Sequence, residues 1–495
     1  MKHQKYSILL LSLFALASCH HMLDVEPHTF SSDASYYQNE GQFLRAVNGA
    51  YGSLQELYTV DHFWPMTEMV ADNTNYQFDA SDRGAQQREE IDEFLITSTN
   101  NYVNNTWNML YRNIQQTNVI LGRIEPVEFS DEAKKAQYKG EAQFLRALQY
   151  FHLVRLFGPV PLIIDEVEDP ESAFSEGRAS VEEVYNQILA DVNGAIENLP
   201  VSYTGSNIGR ATKGAALTLL GEIQMTLHNF DEAATAFQQV LDMGYSLLPN
   251  YADNFNPAFK NNAESVFAIQ FDAGLQTEAS NFIFMFGPRN AKNQLIGFPG
   301  NLGGSNIPTP SIYRAYEEGD VRRDASIALF SDPSNANFEE SRAFGGDIPF
   351  IQKYYHPPFL EDGRADENWP VYRYAHVLLM LAEALNETGA GDPYPYINAV
   401  RERAGLDPLA GLGQDAFREA VAREQRIELA FENHRWYQLL RTGKAIEVMT
   451  QHGIEEKERL TRLSNAAYNI QPYKLLFPIP EREIRLNGFE QNPGW

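Results

Sequence analysis

Apolar residues recur at intervals of three and four through most of this chain, the spacing that places them on one face of an α-helix. Between positions 40 and 57, Phe43, Val47, Ala50 and Leu54 keep that spacing, with polar residues between them. Further helices follow the same pattern, several of them joined by short turns. The predicted helices span residues 107–123, 132–157, 181–199, 371–387, 395–404 and 415–440, and a pair of helices spans 213–243.

Two parts of the chain interrupt the helical pattern. Residues 67–105 are rich in Asn, Asp and Gln, and we interpret most of that stretch as loop. Residues 245–370 are rich in Gly, Pro, Asn and Phe, with one predicted strand at 266–271. The sequence therefore predicts a mainly α protein, with helical repeats at about 39–244 and 371–450 and a loop-rich mixed insertion at about 245–370.

One of the predicted helix pairs carries a repeat signature. Leu220-Gly221 on its first helix, and Ala233 and Phe237 on its second, match positions of a tetratricopeptide repeat. In that repeat the small residues let two helices approach closely, while the aromatic ring fills the space between them. Because the other pairs show only blurred versions of the pattern, we expect a divergent helical-repeat scaffold of about four helix pairs.

The start of the chain resembles a lipoprotein signal. An apolar run at 6–17 follows two lysines and is too short to span a bilayer. It leads through Leu16-Ala17-Ser18 into Cys19, as in the lipobox of bacterial lipoproteins. We therefore expect a signal peptide at 1–18, lipid on Cys19, a tether at 19–38 and a single domain at 39–495. The alternative is an ordinary secretory signal.

Cys19 is the only cysteine in the chain. If it carries the lipid, the mature protein has no thiol for a disulfide, a thiolate metal site or a nucleophile. The formal net charge is −27, from 39 Lys and Arg against 66 Asp and Glu. This charge repels phosphate backbones, so nucleic acid is not expected as a partner.

Several separated motifs, in order along the chain, resemble those of the SusD/RagB family of outer-membrane nutrient-binding lipoproteins. They are LDVEP at 23–27, WNMLYRNI at 107–114, GEAQFLRA at 140–147, YFHLVRLFGPVPL at 150–162, TKGAA at 212–216, LAEA at 381–384, VRERAGL at 400–406, IELAFE at 427–432, RWY at 435–437, PIP at 478–480 and QNPGW at 491–495. The chain departs from the family at two positions. Gln425 replaces a usual arginine, and Gln438 replaces a usual aspartate.

The resemblance implies a lipid-anchored protein of the outer membrane, exposed at the cell surface. It implies that the protein pairs with a SusC-like TonB-dependent transporter and acts as a lid. In that role it captures oligosaccharides or polysaccharides and delivers them for import, without enzymatic activity. A peptide-binding protein on the same scaffold is the alternative, and a surface hydrolase is a third hypothesis.

Three glutamates, at 424, 428 and 432, stand at steps of four on one predicted helix face. A glycosidase needs two carboxylates that face each other across a sugar, which carboxylates stacked on one helix cannot do. We therefore interpret them as part of a charged network with Arg401 and Arg403 that fixes the register of the helix. Phosphate-loop, zinc-protease and nucleophile-elbow motifs are missing from the sequence.

The family keeps no motif in its ligand-contacting loops, so the candidate binding residues are chosen by chemistry. Sugar binding needs an aromatic face, together with amides, carboxylates or arginines for the hydroxyl groups. The candidates are Asp72, Asn75, Tyr76, Arg83, Asn101 and Tyr102 in the first polar stretch, and Phe284, Arg289 and Phe298 in the insertion.

No cofactor is expected, and a structural calcium ion is the alternative. Asp72, Thr74 and Tyr76 alternate like the ligands of a calcium loop, but they lack its central glycine and terminal glutamate.

Overall fold

A computed structural model describes residues 36–59, 62–167 and 177–495. Cys19, the signal peptide and most of the predicted tether lie outside these residues. The first helical part contains α1 (Glu40–Thr59), α2 (Gln86–Asp92), α3 (Asn101–Ile124), α4 (Glu132–Phe157), α5 (Val181–Asn198), α6 (Lys213–Thr226) and α7 (Phe230–Leu241). A single turn of π-helix lies at Pro65–Met69.

The insertion holds only short helices, and the longer helices resume after it. The short helices are α8 (Phe282–Phe286), α9 (Asn293–Ile296), α10 (Pro310–Ala315) and α11 (Arg322–Ser326). The later helices are α12 (Tyr374–Thr388), α13 (Tyr394–Arg403), α14 (Gln414–Glu428), α15 (Arg435–Arg441), α16 (Ala445–Arg459) and α17 (Glu481–Asn487).

Eight short strands form four antiparallel pairs in the described part of the chain. They are β1 (Thr74–Asn75), β2 (Val160–Pro161), β3 (Arg178–Ala179), β4 (Ser265–Ile269), β5 (Ile307–Pro308), β6 (Ile327–Phe330), β7 (Ile348–Ile351) and β8 (Trp369–Arg373), paired as β1-β5, β2-β3, β4-β8 and β6-β7. The pairing of β4 with β8 brings both ends of the insertion together beside α12. The pairing of β1 with β5 joins the first polar stretch to the insertion.

Local signals fix several helix ends, as α4 illustrates. The carboxylate of Asp131 accepts a hydrogen bond from the backbone N–H of Ala133 at the start of α4. Gly158, with a φ of 72°, ends the helix, and Pro159 follows. The predicted bounds 132–157 are therefore confirmed at both ends. The predicted loop at 67–105 was too long, since it contains β1, α2 and the start of α3.

The repeat-like pair forms as its sequence signature predicts. Helices α6 and α7 pack against each other, and the ring of Phe237 is fully buried between them. A Cβ atom at Gly221 would lie only 2.4 Å from that ring, so this position accepts no side chain without displacing Phe237. Around this pair, α4 packs against α3 and α5, and α12 packs against α7 and α14. One continuous hydrophobic core joins these helices.

The predicted charged network exists, and it is larger than expected. Arg401 binds Glu424 at 3.0 Å, and Arg403 binds Glu428 at 2.5 Å, as the sequence indicated. Basic residues from the insertion and its end join the same carboxylates: Arg322 binds Glu424 and Glu428, Lys353 binds Glu432, and Arg373 binds Glu264, Glu428 and Glu432. The network therefore holds the insertion against α14.

Glu68 holds the turn that follows α14. Its Oε1 accepts a hydrogen bond from the backbone N–H of Phe431 (3.1 Å), and its Oε2 accepts one from that of Asn433 (2.9 Å). Both residues have a φ of 68°, which is unusual for residues other than glycine. The prediction of one helix over 415–440 was wrong, because this turn separates α14 from α15. Glu432 consequently lies in the turn and not on the helix.

We expect the stability of a Glu68→Gln variant to depend on pH differently from that of the wild type. Burial raises the pKa of Glu68 from 4.5 to about 7, although the N–H groups of Asn433 and Phe431 oppose the shift. A raised pKa means that the folded state holds a proton that the unfolded chain releases at neutral pH. The contribution of this group to stability is therefore fully present below pH 4.5 and is lost as the pH rises through about 7.

Glutamine does not titrate, so the comparison isolates this one group. Between pH 4.5 and pH 8, the free energy of unfolding of the wild type should fall relative to that of the variant by about 2–3 kcal/mol. Urea unfolding of both proteins at the two pH values measures this change. A wild-type-minus-variant difference that stays constant across the range would contradict the expectation.

Candidate ligand-binding cleft

An open cleft of about 510 Å³ lies where the first polar stretch meets the insertion. One side is formed by residues 82–88 together with Tyr102 from the first turn of α3. The other side is formed by α8, the residues around Arg289, the loop at 301–303 and the turn at 362–363. This volume is within the usual range for sites that bind small ligands, about 300–1,000 Å³.

Close packing of the loop at 301–303 on α8 shapes the second side. The backbone N–H of Gly303 donates to the carbonyl of Phe284 (2.7 Å), and that of Ser305 donates to the carbonyl of Met285 (3.0 Å). A Cβ atom at Gly303 would lie 2.6 Å from the carbonyl oxygen of Met285, so glycine is required here. The segment at 301–305 is irregular loop, in which Gly304 has a φ of 60°.

Arg289 connects the two sides of the cleft. Its Nη1 donates to the Asp82 carboxylate at 2.7 Å, and its backbone N–H donates to Oε1 of Gln77 at 2.7 Å. The backbone N–H of Gln77 in turn donates to the carbonyl of Gly304. The N–H of Gly84 and the Arg289 guanidinium hold the pKa of Asp82 below its ordinary value. Asp82 is therefore ionised at neutral pH.

The cleft combines apolar ring surface with groups that suit hydroxyl ligands. Tyr102 is half-buried and packs edge-on against His62, with 5.3 Å between ring centroids. The Oδ1 of Asn281 is buried and accepts no hydrogen bond from any described residue. Asn301 and Asp362 are exposed at the rim. A ligand with an apolar face and several hydroxyl groups fits this set.

Three of the nine predicted site residues line this cleft. They are Tyr102, Phe284 and Arg289, which come from segments far apart in the chain. Phe298 does not line the cleft, but its ring stacks on Phe284, with 6.5 Å between centroids. Phe284 itself is only 5% exposed, so its ring packs within the cleft wall and offers little surface to a ligand.

Two further predicted residues lie near the cleft without lining it. The guanidinium of Arg83, between the lining residues Asp82 and Gly84, binds Glu89 at 2.7 Å and lies over the ring of Phe78. Asn101 is exposed at the start of α3, where its backbone N–H donates to the side chain of Gln87. No contact in the described structure places either of these two side chains in the cleft.

The structure buries the other three predicted residues, Asp72, Asn75 and Tyr76, which are at most 3% exposed. Asp72 binds Arg435 at 2.7 Å and Arg426 at 2.9 Å. Burial alone would raise the pKa of Asp72, but these two arginines outweigh burial and hold it well below its ordinary value.

The partners of Asn75 and Tyr76 also come from the end of the chain. The side-chain amide of Asn75 donates to Glu456, and Arg462 donates to the Tyr76 hydroxyl at 2.7 Å. All three residues therefore attach the first polar stretch to the C-terminal part of the chain, between α14 and the turn that follows α16. The lining residues that the sequence reasoning missed are Asp82, Gly84, Ala85, Arg88, Asn281, Met285, Asn301, Leu302, Gly303, Asp362 and Gly363. Of these, Asp362-Gly363 carries a turn signal that marks an exposed loop.

No helix within 36–59, 62–167 or 177–495 combines the length and the apolar character that crossing a bilayer requires. The same residues contain no group of three or more His, Cys, Asp or Glu arranged to hold a metal ion.

Family models and known relatives match this chain along most of its length. A model described as the SusD family matches residues 329–495, and one described as starch-binding, associating with the outer membrane, matches residues 28–225. SusD-like protein P2 of Formosa agariphila is 28% identical over all of both chains. SusD-like protein P25 of that organism is 27% identical over 98% of this chain and 97% of the relative. The chain belongs to the SusD/RagB family.

Solved structures of SusD-like proteins share the fold described above. A laminarin binding SusD-like protein is 28% identical and superposes with a TM-score of 0.77 over 93% of this chain and all of that one. Surface glycan-binding protein A from Bacteroides fluxus is 25% identical, with a TM-score of 0.76 over 92% of this chain and all of that one. The mainly α SusD-like fold predicted from the sequence is confirmed.

The two side chains that depart from the SusD/RagB pattern, Gln425 and Gln438, are in contact with each other. The side-chain amide of Gln438, on α15, donates to Oε1 of Gln425, on α14, at 2.6 Å. Both side chains are buried, and Gln425 also donates to Glu383 at 2.8 Å. At the two positions where the resemblance implies an arginine and an aspartate, two neutral amides therefore bind each other.

Proposed function

We propose that this protein binds glycans in the cleft between the first polar stretch and the insertion. The observation that carries the proposal is the cleft itself. Its lining includes an aromatic ring, a buried amide oxygen and exposed polar groups, on two sides that Arg289 connects. The likeness to a laminarin binding protein, at 28% identity over 93% of the chain, supports the same class of ligand.

The chemistry of the lining suits a sugar ring. The Tyr102 ring offers an apolar face to the C–H surface of a pyranose. Asn281 lines the cleft and its Oδ1 accepts no hydrogen bond from a described residue, so a ligand hydroxyl that reaches it would satisfy an acceptor that is otherwise unpaired. A ligand that supplies a hydroxyl at that position is therefore favoured over one that does not.

The proposal extends to transport, because of the family to which the chain belongs. A lipid on Cys19 would tether the protein to the outer membrane, exposed at the cell surface. A SusC-like TonB-dependent transporter would lie beneath it, with this protein as the lid that delivers oligosaccharides. The description of one matching family model as associating with the outer membrane supports that location.

We propose binding without turnover. A glycosidase of the usual kind needs a carboxylic acid whose pKa is raised, so that it holds a proton for the leaving group. Asp82 shows the opposite behaviour, since its side chain is 59% exposed and its pKa is lowered. Glu424 and Glu428 are buried in ion pairs away from the cleft. Release of product from a labelled glycan would contradict this part of the proposal.

A Tyr102→Ala variant tests the cleft as the binding site. We expect it to bind glycan at least about ten-fold more weakly, because it removes the aromatic face on which the ring rests. Calorimetry or affinity gels with the full-length chain and a panel of polysaccharides, laminarin included, measure the effect. Tyr396→Ala removes another partly buried tyrosine, on α13 and outside the cleft, and should leave binding unchanged.

The peptide-binding alternative makes a different prediction in the same experiment. If the wild-type chain bound oligopeptides and none of the polysaccharides, the glycan proposal would be wrong. If it bound a polysaccharide and both tyrosine variants bound equally well, the ligand would be a glycan but this cleft would not hold it.

A further inference from the structure

The charged residues of the cleft lining differ in exposure: its two arginines are mostly buried and its two carboxylates are exposed. Two arginines line the cleft among the residues that the structure describes, and each already has a partner. Arg289 is 12% exposed at its side chain and binds Asp82 at 2.7 Å. Arg88 is 4% exposed, and its guanidinium lies 5.4 Å from the ring centroid of Trp64. Both arginine side chains are therefore mostly covered, and neither is presented to a ligand as an exposed guanidinium.

The exposed charges of the lining are carboxylates. Asp82 has 59% of its side chain exposed, although one of its oxygens binds Arg289. Asp362 is exposed on the opposite wall. The whole chain adds a long-range field of the same sign, since its formal charge is −27. An approaching polyanion therefore meets negative charge both at a distance and in the cleft.

Recognition of acidic glycans requires the opposite arrangement. Carboxylate and sulfate groups are bound most strongly by arginine forks with both N–H donors free for the ligand. A ligand carboxylate placed beside Asp362 would instead face like charge, and one placed beside Asp82 would have to compete with that carboxylate for Arg289. Hydroxyl groups suffer no such penalty, because carboxylates and amides accept hydrogen bonds from them.

We propose that the cleft selects neutral glycans and rejects polyuronates and sulfated polysaccharides. This inference rests on the proposed function and names the ligand class of the same site. The selection is electrostatic, so it weakens as salt screens the two carboxylates. The Debye length falls from about 30 Å at 0.01 M salt to about 3 Å at 1 M.

The test compares a neutral panel (laminarin, starch, xyloglucan) with an acidic panel (polygalacturonate, alginate, a sulfated galactan), using the full-length chain. At 0.01 M salt we expect the best neutral polymer to bind at least about ten-fold more tightly than the best acidic one. At 1 M salt that ratio should shrink. Equal or tighter binding of an acidic polymer at low salt would overturn the inference and leave the proposed function standing. Binding of no polymer in either panel would overturn both.

A double variant, Asp82→Asn with Asp362→Asn, tests the cause. It removes both exposed carboxylates and leaves the Arg289 guanidinium without its partner, so the preference for neutral over acidic polymers should fall at least about three-fold. Asp415→Asn is the matched control, because that carboxylate is 93% exposed at its side chain and lies on α14, outside the cleft. An unchanged preference in the double variant, or an equal fall in the control, would assign the selectivity to another feature.

Discussion

Replacing Arg373 with methionine should lower the free energy of unfolding by about 3–5 kcal/mol, the cost of breaking a buried ion pair. Arg373 is 2% exposed, and its guanidinium binds Glu264 at 2.7 Å and both Glu428 and Glu432 at 2.8 Å. Methionine fills similar space without charge. Three buried carboxylates would then have lost their common cation.

Chemical unfolding at pH 7 measures this loss, and Arg418→Met provides the control. Arg418 also binds two carboxylates, Glu387 and Asp415, but 41% of its side chain is exposed. Solvent screens such pairs, so we expect the control to cost less than about 1 kcal/mol. Equal losses in the two variants would show that burial does not set the strength of this network.

The Arg373→Met variant should also respond to acid. Burial favours the protonated form of Glu428, and at present Arg403, Arg373 and Arg322 outweigh burial and lower its pKa. Without Arg373 only Arg403 and Arg322 remain to oppose burial, so the pKa of Glu428 rises and protonation removes a charge that the site compensates less well. The stability difference between wild type and variant should therefore shrink as the pH falls toward the new pKa.

The fold could be predicted wherever the deciding contacts are local. The cap at Asp131 and the Gly158-Pro159 sequence lie beside α4, and both ends of that helix were predicted correctly. The end of α14 depends on Glu68, which is more than 350 residues earlier and accepts hydrogen bonds from the turn. No periodicity within 415–440 contains that information.

The same distinction applies to the charged network. The spacing of Glu424 and Glu428 predicted a structural role, and Arg401 and Arg403 are close in sequence. The cations from the insertion and its end, Arg322, Lys353 and Arg373, join through tertiary folding alone. A sequence pattern could therefore identify the network but not its extent.

The candidate site shows where chemical plausibility misleads. The stretch from Asp72 to Tyr76 has the residue types of a ligand-binding loop, yet its partners are arginines and a glutamate near the end of the chain. Tyr102 and Arg289 have the same residue types but lie where β1 and β5 bring two segments together. Composition cannot distinguish the two cases, because the difference lies in which long-range partner each residue meets.

Gln425→Arg and Gln438→Asp, each made alone, should lower the stability of the protein. The two substitutions made together should not. Gln425→Arg alone places a cation in a buried site where Arg441 already binds Glu383 with both of its terminal nitrogens. We expect this variant to lose about 3 kcal/mol of stability, because the added charge has no carboxylate of its own. Gln438→Asp alone should cost less, since Arg435 already donates to position 438 at 2.7 Å.

In the double variant the new aspartate would stand beside the new arginine. We expect its stability to return to within about 1 kcal/mol of the wild type, which corresponds to a coupling free energy of about 1–3 kcal/mol. Urea unfolding of the four proteins completes the cycle. Losses that simply add would mean that the two amides are independent replacements. A favourable coupling would mean that the two positions act as one pair, which either an ion pair or a neutral hydrogen bond between α14 and α15 can occupy.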